Sequence, residues 1–304
     1  MKRRTFCALT GGAVAFSAMP APLRAFAATG EDSGPDIAAV QGGDGIARLD
    51  RSLEEFGGIR AFVGSGQSVV IKPNMGWAVP PSSGANTDPA LVKRLAELCL
   101  QAGAAKVTCF DNPCDHWRDA YRESGIEAAV IAAGGVVAPP NGERYYRQVD
   151  LPAGVKLREA AVHEAWLEAD VVFNMPVLKH HGGAGMTAAL KNLMGVVRDR
   201  SFYHRNGLDQ CIADFAANGK RPTLNIIDAG RVMLTGGPRG QSHSQYKRLD
   251  LLIVSPDIVA ADVAAALSFG AKPEDFAYIG MAAKQGAGRG SLDGLDVRRI
   301  RIQV

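Results

Sequence analysis

Five short apolar runs recur along this chain, and each one stops at a polar or turn-forming residue. Ser68–Lys72 halts at Pro73, Lys106–Phe110 at Asp111, Val171–Phe173 at Asn174, Leu224–Ile227 at Asp228, and Leu251–Val254 at Ser255-Pro256-Asp257. Runs of this length read as strands buried on both faces. Helical patterns separate them: Ile46–Phe56, Ala90–Gln101, Trp117–Ala133 with a break at Gly125, Ala160–Glu168, Met186–Val196, Leu208–Ala217 and Ile258–Ser268. Asp88-Pro89 starts the second of these and Gly103 stops it. Val136–Ala138 and Val297–Ile302 add strands, the latter at an edge, and Asn141–Leu157 alternates around Pro152 and Gly154 like a hairpin. Strand–helix alternation predicts an α/β fold: a doubly wound, mostly parallel sheet with helices on both faces. Residues 46–304 then form a single α/β domain, with a small subdomain from 141–157 and 230–248. A Gly-, Ala- and Asp-rich flexible linker, 28–45, precedes it.

The first 27 residues read as a leader. Lys2, Arg3 and Arg4 form a basic head, Arg3-Arg4-Thr5-Phe6 is a twin-arginine pattern, and Ala25-Phe26-Ala27 is a small-x-small cleavage site. Gly11, Gly12, Pro20 and Pro22 interrupt the apolar stretch between. It falls short of the ~20 apolar residues of a spanning helix, so no membrane anchor is expected in the mature form. The pattern predicts delivery to the periplasm or beyond, with the twin-arginine translocase as partner during export.

Removing the leader changes the charge argument. Four of the 34 basic residues and none of the 31 acidic ones lie in it, leaving 30 basic against 31 acidic groups. No net basic domain remains, which speaks against a nucleic-acid partner. Cys99, Cys109, Cys114 and Cys211 contain no C-x-x-C pair, so no iron–sulfur cluster is expected. An exported chain permits disulfides, but Cys99 on a helix face and Cys109 in a strand favour buried free thiols.

Ligands of open α/β sheets bind beyond the carboxyl ends of the strands. The exits here carry Lys72 and Asn74, Asp111-Asn112, Asn174 leading to Lys179-His180-His181, then Asp228 and Asp257. A cap explains Asp257, but not two lysines and a histidine pair at one level. Gly182, Gly183 and Gly185 before a helix leave backbone N–H groups for an anion, with Thr187 and Lys191 one turn apart and Asn192 following. His180 or His181 suits proton transfer, with Lys72 and Lys191 beside it in the catalytic group. Lys179 adds charge, Asn74 and Asp228 orient the ligand, and Arg239 on the Gly236–Gly240 loop is a candidate clamp. His204, in the polar run Arg198–Asn206, is a candidate metal ligand. The sequence has no Walker A loop, no H-E-x-x-H, no G-x-S-x-G and no G-x-G-x-x-G after the first strand.

Several of these segments resemble the domain-of-unknown-function 362 family: Val69–Asn74 ending K-P-N, Asn174–His180, Thr187-x-x-x-Lys191-Asn192-Leu193-Met194-Gly195, Gly236-Gly237-Pro238, and Ser255-Pro256-Asp257-x-x-Ala260-x-Asp262. The likeness spans roughly residues 68–290 and implies the α/β fold without a settled reaction. His181-x₃-Gly185-x₅-Lys191 is also faintly similar to the nickel-pincer lactate racemase family. That likeness implies Lys191 as anchor of a pyridinium-derived or other metal cofactor, His181 as acid/base and His204 as metal ligand. Two functions are therefore expected: an exported enzyme acting on small hydroxy- or oxo-acids, or a non-catalytic carrier of an anionic small molecule or metal.

Overall fold

The computed structural model describes residues 34–303, so the leader and the first part of the expected linker lie outside the described residues. In chain order the elements are β1 (Ile37–Gln41), α1 (Gly45–Glu54), β2 (Ser68–Pro73), α2 (Pro89–Gln101), β3 (Lys106–Cys109), α3 (Trp117–Glu123), α4 (Ile126–Ala132), β4 (Val136–Val137), β5 (Tyr146–Asp150), β6 (Glu159–His163) and α5 (Glu164–Glu168). There follow β7 (Val171–Met175), β8 (Val177–His181), β9 (Gly185–Thr187), α6 (Ala189–Asn192), α7 (Arg200–Asn206), α8 (Leu208–Asn218), β10 (Leu224–Met233), β11 (Tyr246–Ser255), α9 (Ile258–Phe269), α10 (Ala277–Lys284) and β12 (Val297–Arg301).

The main sheet runs β12-β1-β11-β10-β7-β2-β3-β4, with β8 attached at β10 and β9 at β8. β11 is antiparallel to both neighbours, and the remaining pairs along that path are parallel. The sheet is thus mostly parallel. Strand periodicity assigns its two faces. Val69, Ile71, Val171 and Phe173 pack with Leu49 and Leu53 of α1 and Leu91 and Leu95 of α2. Val70 and Val172, one residue out of step, pack on the opposite side with Ile212 of α8, Val259 of α9 and Ile279 of α10. A strand covered on both faces needs an unbroken apolar run, which is why these runs stand out in the sequence.

Local chemistry sets the helix starts. Asp44 accepts the Ala47 N–H at 2.8 Å, Asp88 that of Ala90 at 2.8 Å, and Asp257 those of Val259 and Ala260 at 2.9 Å. Gly125, at φ 74°, separates α3 from α4 in a left-handed conformation that suits glycine.

Several expectations need correction. The 28–45 segment is not all linker: β1 lies within it, between β11 and β12, with Ile37 and Val40 fully buried. Ala160–His163 is strand, not helix, because it pairs antiparallel with β5. Of the expected subdomain, β5 stands apart from the main sheet, paired with β6, which lies outside the expected bounds. Residues 230–248 instead prolong the β10–β11 hairpin. The expected helix 186–196 breaks into β9, the single turn α6 and a 3₁₀ turn, Leu193–Val196. Cys99, Cys109 and Cys211 are buried free thiols, and Cys114 is an exposed one.

Candidate functional site

A cavity of about 180 Å³ opens at the carboxyl ends of β2, β3 and β8. Lys72, Asn74, Lys179, His181, Thr187, Lys191, Asn192 and His204 all line it, so eight of the expected site residues converge.

Lys72 sits at its floor, 1 % exposed. Its ammonium pairs with Asp111 Oδ1 at 2.8 Å and donates to the Pro73 carbonyl at 2.7 Å and Asn192 Oδ1 at 3.0 Å. Burial pushes its pKa below the ordinary lysine value, and Asp111 pulls in the other direction. Asp111 is fixed in turn by the Met75 N–H at 2.7 Å. The network continues through the sheet: Asn192 donates to Asn174 Oδ1 at 2.9 Å, Asn174 to Asn225 Oδ1 at 2.9 Å, and Asn225 to the Ser255 carbonyl at 3.1 Å. Such a fully connected polar seam rigidifies the strand ends. Gly195 closes over it, and a methyl there would overlap Asp111 Oδ1 and come within 2.7 Å of Lys72 Cε.

The remaining cations are held differently. Lys179, 1 % exposed, donates to Asn74 Oδ1 at 3.3 Å and to the Ala85 carbonyl, 6.0 Å from the Trp77 ring centre. It has no carboxylate partner among the described residues. Burial lowers its pKa to about 7. Lys191 lines the wall without a hydrogen bond or ion pair among the described residues; burial, helped by neighbouring cations, lowers it to about 8. Thr187 Oγ1, buried where Lys191 is only half-buried, also lacks a partner among them. The short α6 that carries Lys191 is anchored from α9, where buried Asp262 accepts the Ala189 N–H at 2.6 Å and the Leu190 N–H at 3.2 Å.

His181 Nδ1 accepts two backbone N–H groups, from Gly183 at 3.1 Å and Ala184 at 3.0 Å. A nitrogen that accepts twice carries no proton, so the neutral ring holds its hydrogen on Nε2. Burial first, then the charges of Lys191 and Lys179, lowers its pKa to about 3 and keeps the ring neutral. In this tautomer His181 offers a hydrogen-bond donor and not a base or a metal-binding lone pair. His204 is exposed at the rim. Among the described residues no three His, Cys, Asp or Glu side chains gather into a metal site. Together with the small volume, these donors do not fit the expected nickel or pyridinium-derived cofactor, nor His204 as its ligand.

Other expected residues lie elsewhere. Strand alternation turns His180 away from Lys179 and His181, and its Nδ1 accepts the Gly237 N–H at 3.2 Å. Gly182, Gly183 and Gly185 form the β8–β9 hairpin turn, with two of its N–H groups spent on His181, so no anion nest opens a helix there. Arg239 is exposed and paired with Asp115 at 3.1 Å. Asp228 faces a second cavity of about 340 Å³. Conversely, Arg200, Trp77, Cys114 and Gly195 line the first cavity unforeseen. Arg200 Nη1 points to Cys114 Sγ at 3.0 Å. Its position in a polar run carried no signal, whereas the Asp111 exit could have been joined to Lys72.

The profile of the family described as Domain of unknown function (DUF362) matches residues 69–267. The chain belongs to the DUF362 family. The matched span of this DUF362 chain contains every residue named in the first cavity. It is similar to the thylakoid-associated protein sll1697 of Synechocystis, with 29% identity over 233 residues, 74% of this chain and 70% of the relative. Among solved structures, the lactate racemase apoprotein from Thermoanaerobacterium thermosaccharolyticum aligns with TM-score 0.43 and 12% identity, over 74% of this chain and 56% of that one. The chain therefore spans little more than half of that protein, a likeness too distant to transfer any residue's role.

Proposed function

We propose that this protein binds a small hydroxy- or oxo-acid in the first cavity. The observation that carries the reading is Lys191, an ammonium in the wall with no partner among the described residues, beside the equally partnerless Thr187 hydroxyl. Lys191 and Arg200 supply charge for a carboxylate. The Thr187 hydroxyl and the His181 Nε2–H suit a second oxygen beside it. A volume of about 180 Å³ lies below the ~300–1,000 Å³ typical of drug-sized ligands, which favours an occupant of a few heavy atoms. Calorimetric titration with lactate, pyruvate and inorganic phosphate tests this. Saturable binding is expected in the wild type and its loss in Lys191→Ala; unchanged binding in that variant sinks the assignment.

A second reading, catalysis, is favoured by Lys179. A lysine lowered to about 7 is part neutral near neutral pH and can take a proton from carbon beside a carbonyl. Solvent deuterium then enters pyruvate in the presence of the wild type but not of Lys179→Met. Binding without exchange or conversion leaves the carrier reading.

The same proposal places the mature chain outside the cytoplasm, after twin-arginine export, on the strength of the Arg3-Arg4-Thr5-Phe6 pattern and the Ala25-Phe26-Ala27 site.

A further inference from the structure

The second cavity, about 340 Å³, lies where the amino-terminal turns of α1 and α2 meet the β10–β11 hairpin, and the proposed function leaves it unused. Its deepest basic group is Arg48, 6 % exposed. Nη1 alone is engaged, donating to the Gly42 carbonyl at 3.2 Å and the Gly43 carbonyl at 2.8 Å, with Asp250 at 3.9 Å. Nε is buried without a hydrogen-bond partner, and Nη2 has none among the described residues. Nη2, which borders the open space beside Gly230, is the donor left for a carboxylate oxygen.

Asp228, 7 % exposed, supplies the opposite charge. Its oxygens accept the Asp88 N–H at 3.1 Å and the Gly230 N–H at 3.0 Å, and each retains a further lone pair. No ion pair joins it to Arg48. A methyl placed on Gly230 would sit 3.2 Å from Arg48 Nη2 and 3.3 Å from Asp228 Oδ1, so the bare glycine leaves the space between them open. Three arginines and four aspartates line the whole cavity. A simple anion meets the aspartates there and a simple amine meets the arginines. A molecule bearing both charges a few bonds apart finds an opposite charge at each end.

We propose that this cavity binds a small zwitterion of the α-amino-acid class, its carboxylate on Nη2 of Arg48 and its ammonium on Asp228. Burial raises the Asp228 carboxyl above its ordinary value, and an ammonium beside it restores the charged form. The proposal is independent of the first cavity.

Titration with glycine, alanine and serine, against acetate and methylamine as half-ligands, tests it. The amino acids bind saturably, and each half-ligand binds at least about tenfold more weakly, the size expected for losing a charge-assisted contact. Arg48→Lys keeps the charge but removes the Nη2 donor beside Gly230, and weakens glycine about tenfold. Gly230→Ala fills the gap, with a similar loss. Gly230 has no left-handed φ, so alanine there is free of backbone strain and serves should Arg48→Lys unfold. Lys191→Ala, which removes the first site, leaves amino-acid binding unchanged, so the two readings fail separately. The proposal is overturned if no amino acid binds, if acetate matches glycine, or if folded Gly230→Ala binds like the wild type.

Discussion

Lys72 and Lys191 share one cavity but have opposite surroundings. Lys72 is matched by Asp111 and two carbonyl-type acceptors and belongs to the scaffold. Lys191 has no such partners among the described residues and faces whatever enters. Gly195→Ala drives a methyl into the Lys72–Asp111 pair, and splitting a buried ion pair costs about 3–5 kcal/mol. Urea denaturation should record a loss of that order; a variant as stable as the wild type contradicts the packing described. Titration of Lys179 and Lys191 also sets the pH range of binding. They hold an anion only when protonated, so with pKa values lowered to about 7 and about 8 the affinity is full in mild acid and falls as pH rises through this range. Calorimetry across that window measures it. Stability of the free protein moves the other way. Unfolded lysine keeps its proton to about pH 10.4, so above pH 7 the unfolded chain binds more protons at position 179 and stability rises with pH. Lys179→Met should flatten this rise relative to the wild type in denaturation curves taken from neutral to mildly alkaline pH.

At the scale of elements, β8 decides which histidine belongs to the site. Its period of two puts Lys179 and His181 on one side and Leu178 and His180 on the other. His181→Ala should weaken a bound acid about three- to tenfold, the worth of one hydrogen bond. His180→Ala should leave affinity within about twofold while loosening the Gly237 turn; the reverse ranking of the two variants refutes the register. The adjacent hairpin was not legible in the sequence. Met186–Val196 has helical periodicity, but Gly185, at φ 72°, turns the chain back so that Lys179 pairs with Thr187 before any helix can start. Glu159–His163 likewise became a strand because an exposed partner, β5, was available, and tertiary pairing overrode local propensity. By contrast, the starts of α2 and α9 were legible to within a residue or so. Asp88-Pro89 and Asp257 act on N–H groups two or three positions away and need nothing distant.

For the whole molecule, the leader makes a prediction separate from the fold. Replacing Arg3 and Arg4 by lysine should leave full-length chain in the cytoplasm, read by fractionation and intact mass; processed protein still reaching the outer compartment defeats the export reading. Within the described residues, the sequence by itself determined the apolar cores of β2, β3, β7, β10 and β11 and that each of them meets polar or turn-forming residues. Burial on both faces, turn chemistry and capping act over a handful of neighbouring residues. Only the tertiary structure decided which exits meet. Lys72, Asp111 and Lys179 converge because β2 lies beside β3 and β8 carries the chain of β7 on past their ends, still parallel to β10. β10 runs on through Asp228 into a long antiparallel hairpin, which carries that carboxylate into a different cavity opposite Arg48. Strand order and register arise from pairings between residues tens to hundreds of positions apart, such as Lys72 with Asn174, and no local pattern encodes them.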